Sequence, residues 1–486
     1  MPKRETGSSG TYVEYGSVRA LWELVERTRI IEIINNAAPK RTGIPVGELT
    51  VLMAINRCLD PLAKWEIPEW YERTYLPELM GFELPVKSGY QTLTRCLDYL
   101  TDPVQQEIEM ALAGRVMESF HLKPDVFLYD LTSTFVEGKG RASILQNGYS
   151  RDHRPDRKQV NYALCVTPEG VPIFHEAFPG NQVDSKTVKD TMVRFQDQHE
   201  LDGCLVVDRG IVTHKNVGEI VDVRKLDLVG GMRMNKGLAK RVRAVPLDAY
   251  EEAFEIRDEL LRAYELPLTI RKKPRRGLLY YSGDKAERDR KTRMAHLVEI
   301  EKELKTMAAS LCRKGKGRKP TPEGITKKID KLLEKKKCQG LIRWRFVGGR
   351  GGRRLRWERD EAAMREREQM DGKYVLITTL GLSPKGNLEV YRGRDPVERA
   401  FRIIKQVIRI RPIWNRKEEH IKAYLFICFL SYLLMSLLQL ELRKVEPDLS
   451  AVKALKKLAR ITELVPRTIH VEGERELLGR LMRRKH

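Results

Sequence analysis

Two short apolar runs, each ending in an aspartate, constrain most strongly how this chain can fold. The first lies in residues 125–132 and contains Asp130, and the second runs from Cys204 to Asp208. Apolar runs of this length without polar alternation are typical of strands buried on both faces of a sheet. We therefore predict a sheet in which two strands carry a carboxylate at their tips.

The segments around these runs predict a mixed α/β sheet. Residues 161–166 and 171–177 favour two hairpin strands, because the sequence between them, Pro168-Glu169-Gly170, is a turn signal. Asp184-Ser185 is expected to cap a helix that reaches about residue 200. The remaining elements of the pattern are a helix and two strands, at 214–223, 226–232 and 373–379.

Composition and periodicity divide the chain into six segments. Residues 1–16 are polar and rich in Gly and Ser, which predicts a disordered tail, and residues 17–120 predict an α-helical domain. Several short helices before an α/β core fit either a helix-turn-helix-like DNA reader or a helical packing domain. The other segments are the first part of the core, an inserted domain, the second part of the core and a basic helical tail: 121–233, 234–372, 373–445 and 446–486.

The expected insertion differs from the rest in its charge. Residues 284–310 and 322–337 predict two charged helices, each with an apolar stripe. Residues 312–320, between them, are basic and Gly-rich, and residues 350–356 form a second Gly/Arg cluster. We expect a helical hairpin whose basic tip either lies along a DNA backbone or is a solvated linker.

The net charge favours a polyanionic partner. Ninety Lys and Arg against 67 Asp and Glu give a net charge of +23, spread along the chain, which suits DNA, RNA or an anionic membrane. None of the seven cysteines forms a C-x-x-C pair, which predicts a reduced, cytoplasmic protein without a zinc ribbon. The beginning of the sequence lacks the apolar core of a signal peptide.

One apolar segment leaves two possibilities open. Residues 423–440 carry no charged residue and approach the length of a bilayer span. The segment also contains Ser, Cys and Gln and lies in strongly polar sequence. We expect a helix buried in the core, with a membrane anchor as the alternative.

The stretch from Tyr391 to Lys405 places one acid among three groups that can hold phosphate. Tyr391, Arg394, Glu398 and Lys405 follow at steps of three, four and seven, so on one helix they would share a side. Alternatively, Asp395-Pro396 opens the helix and leaves Tyr391 and Arg394 ahead of its first turn. By itself such a stretch could also be a solvated helix surface.

Asp130, Asp208 and Glu398 together suggest metal chemistry. Three carboxylates from distant positions can hold two divalent cations, and Mg²⁺ prefers such oxygen ligands, with Mn²⁺ as a substitute. Two ions of this kind can activate a water or a 3′-hydroxyl and stabilise the leaving oxygen of an in-line displacement at phosphorus. No nucleotide cofactor is expected.

The motifs resemble those of a known enzyme family. Tyr391-x2-Arg394-x3-Glu398-x6-Lys405 matches the signature of the YREK-type DDE transposases of bacterial and archaeal insertion sequences. Residues 127–134 resemble that family's first acidic motif, and residues 206–210 its second. Residues 148–159 and the N-terminal region with 59–65 resemble one branch. The resemblance covers about 125–440 and implies an RNase H-like mixed sheet flanked by helices and interrupted by an inserted domain.

The resemblance also implies roles for individual residues. Asp130, Asp208 and Glu398 would be the catalytic metal ligands. Tyr391, Arg394 and Lys405 would hold phosphates of double-stranded DNA at the transposon end. The further candidate DNA contacts are one residue beside the second acid and two in the insertion: Arg209, Trp344 and Trp357. The tryptophans would stack on a flipped base or, as the alternative, pack within the insertion.

The implied function is cut-and-paste transposition. A homodimer on DNA would cleave both element ends through a hairpin and join them to target DNA. A catalytically inactive, transposase-derived DNA-binding regulator is the alternative. The sequence leaves the role of three further residues open: Asp152, His153 and Asp156. They could form a second polar cluster, a DNA-contacting loop or a solvated turn.

Overall fold

The chain divides into two compact units, residues 1–229 with 390–486 and residues 230–389. The expected insertion, 234–372, falls inside the second unit. The computed structural model describes residues 12–122, 125–138, 140–188, 191, 203–251, 253–312, 321–348, 354–464 and 467–468.

The first unit begins with a short strand and seven α-helices. In chain order they are β1 Tyr12–Glu14, α1 Gly16–Thr28, α2 Ile30–Ala37, α3 Val46–Leu59, α4 Ile67–Glu72, α5 Leu76–Met80, α6 Gly89–Cys96 and α7 Asp102–Phe120. Helix α3 ends directly before Asp60-Pro61, as expected, because the residue preceding a proline disfavours helical geometry. The disordered tail expected up to residue 16 is wrong for its last residues, since β1 pairs with residues 462–464. Residues 1–11 lie outside the described residues.

The sheet of the first unit brings the two aspartate runs together. Its strands are β2 Val126–Phe135, β3 Gln159–Val166, β4 Pro172–Pro179, β5 Cys204–Val207 and β6 Asp227–Gly231. Their order is β4-β3-β2-β5-β6, with β2 parallel to β5 and β3 antiparallel to both of its neighbours. Tyr129 is the register partner of Val207, so the next residues, Asp130 and Asp208, lie side by side. The strand-tip position expected for Asp130 is wrong, because β2 continues to Phe135, whereas Asp208 directly follows the end of β5.

The helices predicted between these strands are found in part. Residues 184–188 are helical, while most of the helix expected up to about residue 200 lies outside the described residues. Helix α8, His214–Val217, continues as a π-helical stretch over Gly218–Val223. The side chain of Thr213 caps α8 by accepting a hydrogen bond from the backbone N–H of Asn216.

The second unit combines an antiparallel sheet with a helical hairpin. Its elements are α9 Lys236–Ala244, β7 Phe254–Ile256, β8 Glu259–Ile270, β9 Lys273–Ser282, α10 Gly283–Cys312, α11 Pro322–Lys335, β10 Ile342–Val347, β11 Arg354–Arg359, α12 Glu361–Glu368 and β12 Lys373–Thr378. The predicted helical hairpin corresponds to α10 and α11. Its predicted basic tip lies outside the described residues apart from Cys312, as do residues 350–353 of the second Gly/Arg cluster.

Strands β7 to β11 are additions to the expected fold. Strands β12, β9, β8 and β7 follow one another antiparallel, and β10 pairs with β11. Arg271 and Lys272 join β8 to β9 with φ of 52° and 62°, the left-handed geometry of a tight two-residue hairpin turn. Helices α10 and α11 enclose a small core with β10, β11 and α12, built from residues such as Leu304, Ile329 and Leu355.

From residue 390 onward the chain belongs again to the first unit. It contains the end of α13 Pro384–Arg392, then α14 Asp395–Gln406, α15 Glu418–Val445, α16 Ala451–Leu458, β13 Thr462–Leu464 and β14 Arg467–Thr468. Of the two geometries left open for Tyr391–Lys405, the interrupted one is found. Tyr391 lies in the last turn of α13, Arg394 is the N-cap of α14, and Pro396 lies in the first turn of α14.

Helix α15 contains the apolar segment 423–440. It is the one helix in the described part of the chain that is long and apolar enough to cross a bilayer, but 89% of its most apolar window is buried inside the protein. It packs against α3 and β4. This burial supports the core helix over the membrane anchor. The mixed sheet with flanking helices confirms the expected α/β, RNase H-like class.

Candidate active site

Asp130 and Asp208 form an acidic pair on the neighbouring strands β2 and β5, with Asp208 directly after the end of β5. Asp130 lies within β2, and its Oδ1 accepts a 2.8 Å hydrogen bond from the backbone N–H of Leu131. Burial, followed by the charge of Asp208, raises the pKa of Asp130 to about 6, although the Leu131 bond and nearby arginines act against the shift. Ionisation of Asp130 is therefore unfavourable, because its carboxyl group is buried and lies near the negative charge of Asp208.

Arg394 neutralises the second member of the pair. Its Nη1 donates a 2.9 Å hydrogen bond to Oδ1 of Asp208. Burial by itself raises the pKa of Asp208, but the bond and charge of Arg394, assisted by Arg209, outweigh it and lower the pKa below its ordinary value. The guanidinium also lies 4.2 Å from the ring centroid of Tyr391, a cation–π contact that orients the arginine.

Glu398 lies in the first turn of α14, but its side chain is exposed. Helix α14 packs against β2 and β3, which places the helix, though not this carboxylate, against the strand of Asp130. Within the described residues, no group of three or more His, Cys, Asp or Glu side chains is positioned to hold a metal ion. Asp130 and Asp208 lie close enough for the charge of one to act on the other, and the participation of Glu398 in a three-acid site stays a prediction.

The chemistry of the two aspartates fits a divalent cation. Two carboxylates on neighbouring strands offer the oxygen ligands that Mg²⁺ prefers, and their repulsion is the kind that a bound cation relieves. Arg394 already supplies one positive group to Asp208. Glu398, in the first turn of α14, is the third ligand predicted from the sequence.

Lys405 is held by a buried acid. Its Nζ donates a 2.8 Å hydrogen bond to Oδ1 of Asp152, whose side chain is only 2% exposed, and Arg411 forms an ion pair with the same oxygen. Burial, together with the charges of Arg411 and Arg151, lowers the pKa of Lys405 although Asp152 opposes this. Asp152 thus fixes two cations, and its Oδ2 is buried without a hydrogen-bond partner.

The loop around Asp152 is tied to the acidic pair through Arg151. The backbone N–H of Arg151 donates a hydrogen bond to Ser133 of β2, and its side chain pairs with Asp184. The charge of Arg151 acts on both Asp130 and Lys405. The structure therefore brings Asp130, Asp208, Tyr391 and Arg394 together, with Lys405 in an adjoining group.

The other residues of this loop face solvent. Asp156 is exposed and pairs with Arg154 and Arg157, and the bond from Arg154 lowers its pKa to about 2. His153 is exposed and has a left-handed φ of 56°. Of the three residues left open by the sequence, Asp152 belongs to a polar cluster, while Asp156 and His153 form the solvated part of a turn.

The three remaining candidate DNA contacts differ in their exposure to solvent. Arg209 follows Asp208 and is exposed. Trp344 and Trp357 are cross-strand partners on β10 and β11, and both are half-buried against the core of the second unit. Their stacking on a base stays a prediction.

Sequence reasoning missed Arg411 and the buried state of Asp152. The polar run around Asp152 resembles a solvated turn, and only the arrival of Lys405 and Arg411 from the far end of the chain buries the carboxylate. One signal was present in the sequence. Arg411 lies a few residues after the motif helix and adds a positive charge close to Lys405 in sequence.

A known protein family matches most of the chain. The family described as the transposase DDE domain matches residues 122–434, which includes Asp130, Asp208 and the whole Tyr391–Lys405 stretch. No curated protein sequence matches the chain. The match spans well over half of the 486 residues. The chain therefore belongs to the DDE transposase family, whose members are enzymes that act on DNA.

Proposed function

We propose that this transposase is a cut-and-paste enzyme of the YREK-signature class. The observation that carries the proposal is the contact of Arg394 with Asp208 beside Asp130. It joins the basic signature of the C-terminal motif to the acidic pair, with Arg394 and Asp208 separated by 186 residues in sequence. Such a combination of acids with a guanidinium suits phosphoryl transfer, in which charge develops on phosphate oxygens.

Asp130, Asp208 and Glu398 are the proposed catalytic carboxylates. Two Mg²⁺ ions, for which Mn²⁺ could substitute, would be held by these residues and would supply activation of a water or 3′-hydroxyl and neutralisation of phosphate charge. Arg394 keeps Asp208 ionised and therefore available as a ligand. Tyr391 holds the guanidinium of Arg394 over its ring.

The basic groups around the acids would hold the DNA backbone. Arg394 can form a bidentate clamp on a phosphate, and Lys405 can act as a point charge. Asp152 restricts Lys405 and Arg411 to one place, which lowers the entropy lost when they meet a phosphate. Arg209, exposed next to Asp208, would contact a neighbouring phosphate.

The substrates follow from the same proposal. Double-stranded DNA at the terminal inverted repeats would be cut, pass through a hairpin and be joined to target DNA by a homodimer in the cytoplasm, associated with the nucleoid. The N-terminal helices and the second unit supply further DNA-binding surface. The net charge of +23 supports a polyanionic partner.

One observation favours the alternative of an inactive DNA-binding regulator. Glu398 is exposed and is not grouped with the two aspartates among the described residues. Cleavage chemistry separates the two functions, because a regulator binds the ends without cutting them.

The experiment uses purified protein and DNA that carries the ends of the element encoding it. With Mg²⁺ we expect nicking, hairpin formation and strand transfer, and with EDTA we expect binding without products. Tight binding of the ends without products in either Mg²⁺ or Mn²⁺ would reject the enzyme and support the regulator.

A further inference from the structure

Helix α14 carries positive charge on both sides of Glu398. With about 3.6 residues per turn, Arg394 and Lys405 lie within about 40° of Glu398 on one side of the helix surface. Arg402 lies about 40° away on the other side, and Arg399 lies about 100° away on that same side. Two groups of cations therefore face different directions around one carboxylate.

The two groups differ in whether protein acids already hold them. Arg394 is bonded to Asp208, and Lys405 is bonded to Asp152. Arg399 and Arg402 are exposed, and neither has a hydrogen-bond or ion-pair partner among the residues that the structure describes. Their guanidinium N–H groups are therefore available to an anionic ligand.

Arg399 and Arg402 line a cavity of about 490 Å³ together with Arg443 of α15. Burial raises the pKa of the Tyr432 hydroxyl in this cavity, and the charges of Arg399 and Arg443 both oppose that rise. Arginines from two helices therefore lie close to one point. Arg443 is held there by a 3.1 Å hydrogen bond from its Nη1 to the backbone carbonyl of Glu169.

The charge of this cavity favours an anion. Two acids, Glu169 and Asp448, also line it, so its three arginines leave an excess of positive charge. Asp448 is exposed, and solvent therefore screens its charge. The beginning of α16, from its N-cap Ser450 to Val452, forms a further part of the wall, and a helix N-terminus favours negative charge.

The joining step of transposition brings two DNA segments to one set of carboxylates. The 3′-oxygen of the element end loses its proton and bonds to a phosphorus of the target, the bond from that phosphorus to the target 3′-oxygen breaks, and the leaving oxygen takes up a proton. The attacking and leaving oxygens lie in line on opposite sides of the phosphorus, so the two segments approach from different directions. Arg394 and Lys405 are the proposed holders of the element end. The cations on the other side of Glu398 face the approach of a second segment.

We propose that Arg399, Arg402 and Arg443 bind a phosphate of the target duplex while the element end occupies the acidic pair. The inference rests on the proposed function, because it assigns the second substrate of the same site. It gives the exposed side of α14 a role that the four motif residues do not cover.

The test measures binding of a second duplex in EDTA, where cleavage does not interfere. The probe is a fluorescently labelled duplex that lacks the terminal sequence of the element, added to protein already saturated with an unlabelled element-end duplex. Arg399→Ala and Arg402→Ala should each weaken binding of the probe about tenfold, since each removes a charge-assisted contact with phosphate. Arg402→Lys keeps the charge and should restore part of the affinity. The affinity of both alanine variants for the element end, measured separately, should equal that of wild type.

The matched control is Arg73→Ala, which removes an exposed cation that does not line the cavity and should bind both duplexes as wild type does. Wild-type affinity for the second duplex in both alanine variants would overturn the proposal. Equal loss of affinity for both duplexes would also overturn it, because the arginines would then serve the element end or the fold. Nicking of the element end by wild-type protein in Mg²⁺ tests the proposed function separately. A protein that does not nick fails as an enzyme, whereas the binding measured in EDTA decides the role of the arginines.

Discussion

Arg394 and Asp208 are joined by a 2.9 Å hydrogen bond although 186 residues separate them in the chain. The bond connects the N-cap of α14 with the residue that follows β5. Its chemical effect is to keep one carboxylate of an adjacent pair ionised, while burial and repulsion raise the pKa of the other to about 6. The arginine of the motif therefore sets the charge state of the acidic pair, in addition to its proposed contact with DNA.

Removal of this guanidinium should impair cleavage more than loss of one phosphate contact would. Arg394→Ala leaves Asp208 without its partner, so we expect cleavage of element ends to fall at least about tenfold, and more if the phosphate clamp is lost as well. Arg394→Lys keeps the charge but not the planar stack on Tyr391, so its cleavage rate should lie between those of wild type and Arg394→Ala. The measurement is the single-turnover nicking rate, and an Arg394→Ala rate equal to wild type would contradict this role.

Asp152 should be important for stability despite its polar surroundings. Asp152→Ala leaves Lys405 and Arg411 without the acid that pairs with both, and we expect the free energy of unfolding to fall by about 3 kcal/mol. Asp156→Ala, in the same loop, is the matched control, because Asp156 is exposed and its loss should change little. The measurement is urea unfolding of both variants. If Asp152→Ala and Asp156→Ala unfold at the same urea concentration, the buried ion pairs of Asp152 do not stabilise the protein.

The lowered pKa of Lys405 predicts a pH dependence with a definite sign. Burial makes the folded protein release this proton at a lower pH than the unfolded chain, whose lysines titrate near 10.5. Between the two pKa values the unfolded state binds more protons, so this residue makes folding more favourable as pH rises toward 10.5. Lys405→Arg removes the titration, and its unfolding free energy should rise less over the alkaline range than that of wild type. Parallel pH profiles would contradict the assignment.

The β10–β11 hairpin of the second unit should have two faces with different roles. Trp344 and Trp357 pack on the small core, whereas Arg345 and Arg356 are exposed register partners whose like charges repel. We expect Trp344→Ala to lower thermal stability. Arg345→Ala should spare stability but weaken DNA binding and reduce its salt slope by about one. A Trp344→Ala variant of unchanged stability that loses base stacking would instead support the role first predicted for this residue.

Much of the first unit could be predicted because its signals are local. The apolar runs before Asp130 and Asp208 are buried on both faces, so the two strands follow from sequence, although β2 continues past Asp130 to Phe135. Asp395-Pro396 likewise indicated where α14 begins. Each of these features depends on the residues at the site itself.

The parts that could not be predicted depend on distant partners or on weak patterns. Strand β8 alternates buried and exposed side chains, but it contains Pro267, and proline disfavours a strand because it cannot donate a ladder hydrogen bond. The burial of Asp152 arises only when Lys405 and Arg411 reach it. A cavity in the first unit, lined by Trp65 and Trp414 among others, likewise combines residues between 53 and 97 with residues between 409 and 427, so neither sequence segment indicates it alone.

The central claim is that Asp130, Asp208 and Glu398 perform the chemistry. The most direct measurement is Mg²⁺-dependent nicking of element-end DNA by Asp130→Asn, Asp208→Asn and Glu398→Gln, which remove one charge each and keep the size of the side chain. We predict that each variant still binds the end but that nicking falls by about a thousandfold or more, the loss expected when a group needed for transition-state stabilisation is removed. Nicking at the wild-type rate by any one of the three would contradict the account.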